Sequence, residues 1–272
     1  MAAILTDTSP PTLVAAIEAA FVQYTVACVL AAGGEAHTEP SMTWVYGTNH
    51  LAYFNGVFQT TLSDADAPAA IEERLRFFAE QGRRMTWWVT PNSRPVNLPQ
   101  LLAAHGMHET WRDTGMALDL STLAPGAPPL AKGITVAPVA NAAEFRDWLH
   151  AFGAGFDLPE GITQSYGAML QSVPFGQHPV GPFFLARQAG EPVGTSALFT
   201  TAGVAGVYEV CTAPHARGQG IATALVLAAL RQGMARGYRV GVIHASEMGE
   251  RVYRRLGFRA YCTLAAYLRE VE

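Results

Sequence analysis

Residues 217–222, Arg-Gly-Gln-Gly-Ile-Ala, stand between a β-branched run at 204–212 and an apolar pattern of helical period that begins Thr223-Ala-Leu-Val-Leu. A strand that turns through glycines directly into a helix confines the chain to folds built on a strand–loop–helix unit. The first amides of such a helix lack intrahelical partners and point the same way, and the positive end of the helix dipole adds to them. Gly218 and Gly220 allow a ligand to approach closely and permit backbone angles that other residues resist. The unit predicts a site for phosphate oxygens on several backbone amides at this turn.

The spacing narrows the ligand. Thr223 stands where a dinucleotide loop has its third glycine, and the lysine of an ATP-binding loop is missing. Arg217-x-x-Gly220-x-Ala222 instead resembles the pyrophosphate loop, Arg/Gln-x-x-Gly-x-Gly/Ala, of the GNAT superfamily of N-acetyltransferases. Further along, 238–246 reads as a strand and 248–256 as a short helix, with Tyr253 four residues before Gly257-Phe258. That order is similar to the end of a GNAT domain, although Ser246 stands where the family often has Asn. Upstream, strands are expected at 133–139, 183–188 and from 191 to about 200, and helices at 141–156 and 162–172. The resemblance covers 133–272.

The resemblance implies an α/β (α+β) fold, a mixed, mostly antiparallel sheet flanked by helices, with acetyl-CoA as co-substrate. It places Val210, Cys211 and Thr212 along the pantetheine arm, where strand 204–212 splays from its neighbour. A backbone N–H near Val210 would polarise the thioester oxygen. The diphosphate is implied to rest on the amides of Arg217, Gly218, Gln219, Gly220, Ile221, Ala222 and Thr223. Tyr253 is implied as the general acid, and Ser246 as a hydrogen-bond partner of the cofactor. Arg217 is either a charge-assisted phosphate contact or a solvated arginine whose backbone does the binding.

The base is read from the residues themselves. Glu209 lies inside a strand between Tyr208 and Val210, and a carboxylate so placed needs a purpose or a partner. It serves either as the base, its pKa raised by burial, or as half of a salt bridge. His244 in the next strand is its rival, and the resemblance implies a third solution, a water chain in place of a residue base.

Half of the 272 residues are hydrophobic and 15% are charged, enough for a sizeable core. A net charge of −4 offers no basic field for nucleic acid. Cys28, Cys211 and Cys262 have no metal-binding or disulfide spacing, so no metal is expected and a cytoplasmic location is. Residues 13–32 are apolar enough to suggest a membrane span. Glu18 and Gln23 interrupt them, so a buried helix is the expectation and membrane anchoring the competing one.

Prolines and glycines at 123–133 divide the chain near its middle. This predicts two similar domains in tandem, a degenerate copy at 1–122, a linker at 123–132 and an acetyltransferase domain at 133–272. The order of elements repeats: a strand at 51–62, a long helix at 67–81, a strand at 84–90, a short helix at 98–104, then Gly106-Met107 and a strand to Leu120. The first copy has Ser63-Asp64-Ala65-Asp66-Ala67-Pro68 in place of the glycine loop. Ser63 and Asp66 suggest a helix cap before Pro68, and two carboxylates would repel a pyrophosphate. The first copy is therefore expected to bind no cofactor and to wall the acceptor pocket.

Acceptor choice is expected from the loop 152–162, with its aromatics and the carboxylates of Asp157 and Glu160. Trp44, Tyr46 and one of Trp87 and Trp88 are further candidates. The expected activity is acyl transfer from acetyl-CoA to the amine of a small molecule or peptide, without nucleic acid or membrane as partner. The alternative is a non-catalytic acyl-CoA-binding module.

Overall fold

The computed structural model describes residues 3–123, 130–171 and 180–269. Residues 124–129, most of the expected linker, lie outside them, as does Ser172 at the end of an expected helix. The first half contains α1 (Pro10–Ala31), β1 (Glu35–Thr38), β2 (Met42–Tyr46), β3 (Asn55–Thr60), α2 (Ala67–Glu80), β4 (Thr86–Val89), α3 (Leu98–Ala104) and β5 (Met107–Asp119). The second contains β6 (Ile134–Pro138), α4 (Ala142–Phe156), α5 (Glu160–Gln171), β7 (Phe183–Gln188), β8 (Glu191–Thr201), β9 (Val204–Thr212), α6 (Ile221–Ala235), β10 (Val240–Ala245), α7 (Glu247–Arg255) and β11 (Arg259–Arg269).

Local signals explain several boundaries. Asn141 caps α4 by accepting the amides of Ala143 and Glu144, each at 3.0 Å, and leaves fewer helix donors unsatisfied. Ser63 accepts the Asp66 amide at 3.1 Å ahead of α2, whose first turn holds Pro68. The expected strand at 51–62 is shorter than its apolar run, because Ala52–Phe54 form a 3₁₀ turn that swings Tyr53 off the sheet. β1 and β2 did not stand out in the sequence. Both are short, and β1 is made of Glu, Ala, His and Thr.

The strands form one sheet of eleven in the order β1-β2-β3-β4-β11-β5-β10-β9-β8-β7-β6. Among the described strands, only β3–β4 and β9–β10 pair in parallel, one such pair in each half. The last strand of each half sits beside the other half's preceding strand: β11 lies against β4, and β5 lies against β10. β5 and β11 also pair with each other from Met107–Arg269 to Ala117–Arg259. The halves therefore exchange strands at the centre of a shared sheet and are not joined by the linker alone.

α1 is the one described helix long and apolar enough to cross a membrane by length and composition. Its Leu13, Ile17, Phe21, Tyr24, Cys28 and Val29 are buried in the main core cluster with Trp88, Trp148 and Phe199. It packs against strands of both halves, among them β2, β5, β8 and β11. Glu18 stays near the surface and accepts the side-chain and backbone N–H groups of Asn92.

Candidate active site

The sheet opens between β9 and β10. Their ladder runs from Ala205↔Gly241 to Val207↔Ile243 and stops, so Tyr208–Thr212 continue without a partner on that side. On the other side, Ala197 pairs with Tyr208 and Thr195 with Cys211, which leaves Ser196 opposite two residues, Glu209 and Val210. This bulge turns Glu209 to φ +56°, a conformation rare outside glycine. Its carbonyl accepts from Thr195 Oγ1 at 2.6 Å, which helps hold the kink.

Below the opening a groove of about 430 Å³ is lined by Val210, Cys211, Thr212, Arg217, Gly218, Gly220, Ile221, Ala222, Thr223, Ser246 and Tyr253, among others. Gly218 (φ +78°) and Gly220 (φ +79°) have open space where a Cβ would stand. The first amide turned into α6 is that of Ala224, onto Gly220 O at 3.0 Å. The amides of residues 218–223 precede it without a backbone acceptor among the described residues. Arg217 donates from Nε to Thr212 O and from Nη2 to Gly155 O, both at 3.1 Å. Its guanidinium thus ties the loop to β9 and α4. Gln219 points away from the groove and accepts from Gln188 Nε2 at 3.0 Å. Ser246 caps α7, accepting the Gly249 amide at 3.3 Å. The Cys211 side chain is buried beside Thr195, so that residue offers the groove mainly backbone.

Above the opening lies a second cavity of about 640 Å³, walled largely by rings: Tyr53, Phe54, Trp111, Phe152, Phe156, Tyr166, Tyr208 and Tyr253. Groove and cavity share Phe156, Val210, Ser246 and Tyr253. Tyr253 is buried, and its hydroxyl has no hydrogen-bond partner among the described residues. Burial holds the phenol protonated, raising its pKa, and the nearby Cys211 and Asp113 add to this.

Glu209 and His244 both face the cavity. Glu209 forms no salt bridge among the described residues. Its Oε1 accepts the hydroxyls of Tyr24, from α1, and of Tyr166, from α5, the latter at 2.5 Å. The two phenols lie 3.1 Å apart. Desolvation raises the carboxyl pKa, and the phenols partly offset that by bonding to the charged form. Oε2 has no partner among the described residues. His244 packs edge-on against Phe21 and Tyr208, and its Nε2 is buried without a partner among the described residues.

Burial pushes the His244 pKa down from 6.5 to about 4. A depressed imidazole contributes stability that is present above pH 6.5 and lost as pH falls toward 4. The shift corresponds to at most about 3 kcal/mol. Thermal melts between pH 7 and pH 4 should show this acid loss, and His244→Phe should flatten it. An unchanged slope in the variant would mean that other groups carry the pH dependence.

Residues 179–260 match the acetyltransferase (GNAT) domain family. The second half contains a GNAT domain. No functionally curated protein matches the chain. Among solved structures, a GCN5-related N-acetyltransferase from Kribbella flavida superposes with a TM-score of 0.70 at 21% identity, covering 92% of this chain and 96% of that one. A GCN5-related N-acetyltransferase from Sphaerobacter thermophilus gives 0.65 at 18%, covering 96% and 93%. A tandem GNAT protein from the clavulanic acid biosynthesis pathway gives 0.59 at 18%, covering 84% and 78%. At these identities the likeness is one of fold, and it extends well beyond the GNAT domain into the first half.

The first half keeps the bulge but closes the opening. Trp44 pairs with Val57 and Thr43 with Gln59, so Phe58 is the extra residue of β3. Beyond it, Arg94 donates its amide to Thr60 O at 2.8 Å and its carbonyl accepts the amide of Leu62 at 3.2 Å. Thr60–Leu62, the counterpart of the free edge after Val210, is thus bonded to its own chain. Asp64, with no glycine beside it, takes the place of the phosphate loop.

The wall of this cavity differs in its members from the expected acceptor wall. Trp87 and Trp88 are completely buried. Trp44 and Tyr46 pack against Phe77 and Phe78. None of the four reaches the cavity. The expected loop supplies Phe152, Phe156, Leu158 and Ile162, while Asp157 ends α4 in a left-handed turn and Glu160 bonds Gln164, both away from the cavity. The first half contributes Tyr53 from its 3₁₀ turn and Trp111 and Asp113 from the exchanged β5. The polar run Glu-Thr-Trp-Arg-Asp-Thr at 109–114, inside a strand whose later residues include Met-Ala-Leu, was the available signal for them.

Proposed function

We propose that this chain is an N-acetyltransferase that moves the acetyl group of acetyl-CoA onto the amine of a small molecule. The observation that carries this reading is the meeting of groove and ring-lined cavity at Val210, Ser246, Phe156 and Tyr253. The glycine cradle at 218 and 220, the unbonded amides of 218–223 and the unpaired edge of β9 suit a diphosphate followed by an extended arm. When bound, acetyl-CoA supplies an activated thioester carbonyl.

The chain's own groups then divide the work. The free edge at Val210 orients the acyl group, and the cavity holds the amine against it. Glu209, its Oε1 anchored by Tyr24 and Tyr166, takes a proton through Oε2. Tyr253 gives its hydroxyl proton to the departing sulfur. A cavity of about 640 Å³ is the size of a small-molecule site, which favours a free amine over a peptide. The three free cysteines suit a reducing compartment, and we place the protein in the cytoplasm.

Calorimetric titration with acetyl-CoA should give one site per chain, because the first half has closed its own opening. Two sites, or none, would overturn the assignment. Thiol release with an accepted amine, followed against pH, should slow on the acid side as Glu209 is protonated.

A further inference from the structure

We propose that Asp113 recognises the ammonium group of the acceptor, and that the acceptor carries this amine on an aromatic body seated against Tyr53 and Trp111. The inference rests on the acetyl-transfer reading of the same site and names its substrate class. Asp113 belongs by sequence to the first half and reaches the cavity only because β5 is exchanged to lie beside β10. Thr114 pairs with Ala245, so Asp113 falls at the level of Ser246, which lines both groove and cavity. It therefore stands at the junction where an amine must meet the acyl group.

The carboxylate is half-buried yet makes no hydrogen bond or ion pair among the described residues. Burial raises its pKa from 3.8 to about 6, the mark of a desolvated acid without a partner. Its charge also reaches Tyr53 and Tyr253. The cation of the cavity wall, Arg112, is already held by Glu109 through two bonds of 2.7 Å. Glu209 has its Oε1 taken by two phenols, and the proposed reaction uses its Oε2 for the proton. Asp113 is thus the acid left for an incoming cation, and an ammonium would supply the compensation that burial demands. Beside it the rings of Tyr53 and Trp111 stack 6.0 Å apart at 13°, with Trp111 38% exposed. A large exposed aromatic at a cavity mouth suits a flat apolar ligand, and rings also attract a cation.

The test uses 2-phenylethylamine and its neutral counterpart 2-phenylethanol as probes, titrated into the CoA-loaded protein and into the protein alone. Wild type should bind the amine more tightly than the alcohol. Asp113→Asn should weaken the amine about ten-fold or more and leave the alcohol unchanged. In steady-state assays the loss should appear mainly in KM for the amine, with the affinity for acetyl-CoA kept. Equal effects on both probes, or none on the amine, would overturn the role of Asp113. Failure of wild type to bind either probe would overturn the aromatic class. Loss of CoA binding by wild type would instead defeat the acetyl-transfer reading, and the titrations without CoA keep the two failures apart.

Discussion

Tyr253→Phe should lower turnover about 100-fold or more while the affinity for acetyl-CoA stays within about three-fold. The ring is buried where groove and cavity meet, and it packs near Phe258. Phe keeps that packing. Because the hydroxyl has no protein partner among the described residues, its removal leaves nothing unsatisfied and the melting temperature should hold. A phenol kept protonated by burial and by neighbouring groups is suited to giving a proton to a leaving thiolate. The fall should appear in kcat at saturating acetyl-CoA. Unchanged turnover in a folded variant would remove Tyr253 from the chemistry. A non-catalytic acyl-CoA-binding module would give the same binding for both proteins and no thiol release from either.

Gly220→Asp should abolish acetyl-CoA binding. Position 220 opens α6 at φ +79°, and a Cβ placed there would meet nothing within 4 Å, so the side chain fits sterically. Asp tolerates the left-handed conformation better than most residues, and the strain should cost about 1 kcal/mol. Its charge, however, would sit among the amides proposed to hold a phosphate. At about 4 Å in a surface groove, like charges repel by about 4 kcal/mol per unit pair, enough for a loss of several hundred-fold. The measurement is calorimetric titration of a variant shown to be folded by circular dichroism. Binding within about ten-fold of wild type would mean that the phosphates lie elsewhere.

The strand–loop–helix unit was legible because its signals are local. Apolar periodicity, two glycines and the Tyr-to-Gly-Phe spacing sit within one stretch of chain. β9 begins at Val204 as its pattern requires, and α6 begins at Ile221, two residues before the pattern read from Thr223. The partners of β5 were not legible. Which strand lies beside which is settled by pairing between distant residues, and alternation along Met107–Asp119 is the same whether its neighbour is β4 or β10. The acceptor wall went astray for the same reason. Trp44, Trp87 and Trp88 are large and apolar, which suits a core as well as a pocket, and the core took them. Tyr53 and Trp111 reach the cavity through a 3₁₀ turn and an exchanged strand, neither of which leaves a periodic trace.

The exchange of β5 and β11 also sets an order of events as the chain leaves the ribosome. β4 borders β11, from Ala265–Val89 to Leu268–Thr86. The half made first therefore cannot complete its sheet until residues 259–269 have emerged. Until then, the edge of β4 and the edge of β5 that faces β11 wait unpaired, although domains commonly fold in the order of their synthesis. Closure of the sheet and completion of the ring-lined cavity become a single event, since the strand that seals β4 is also the one that holds Asp113 in register.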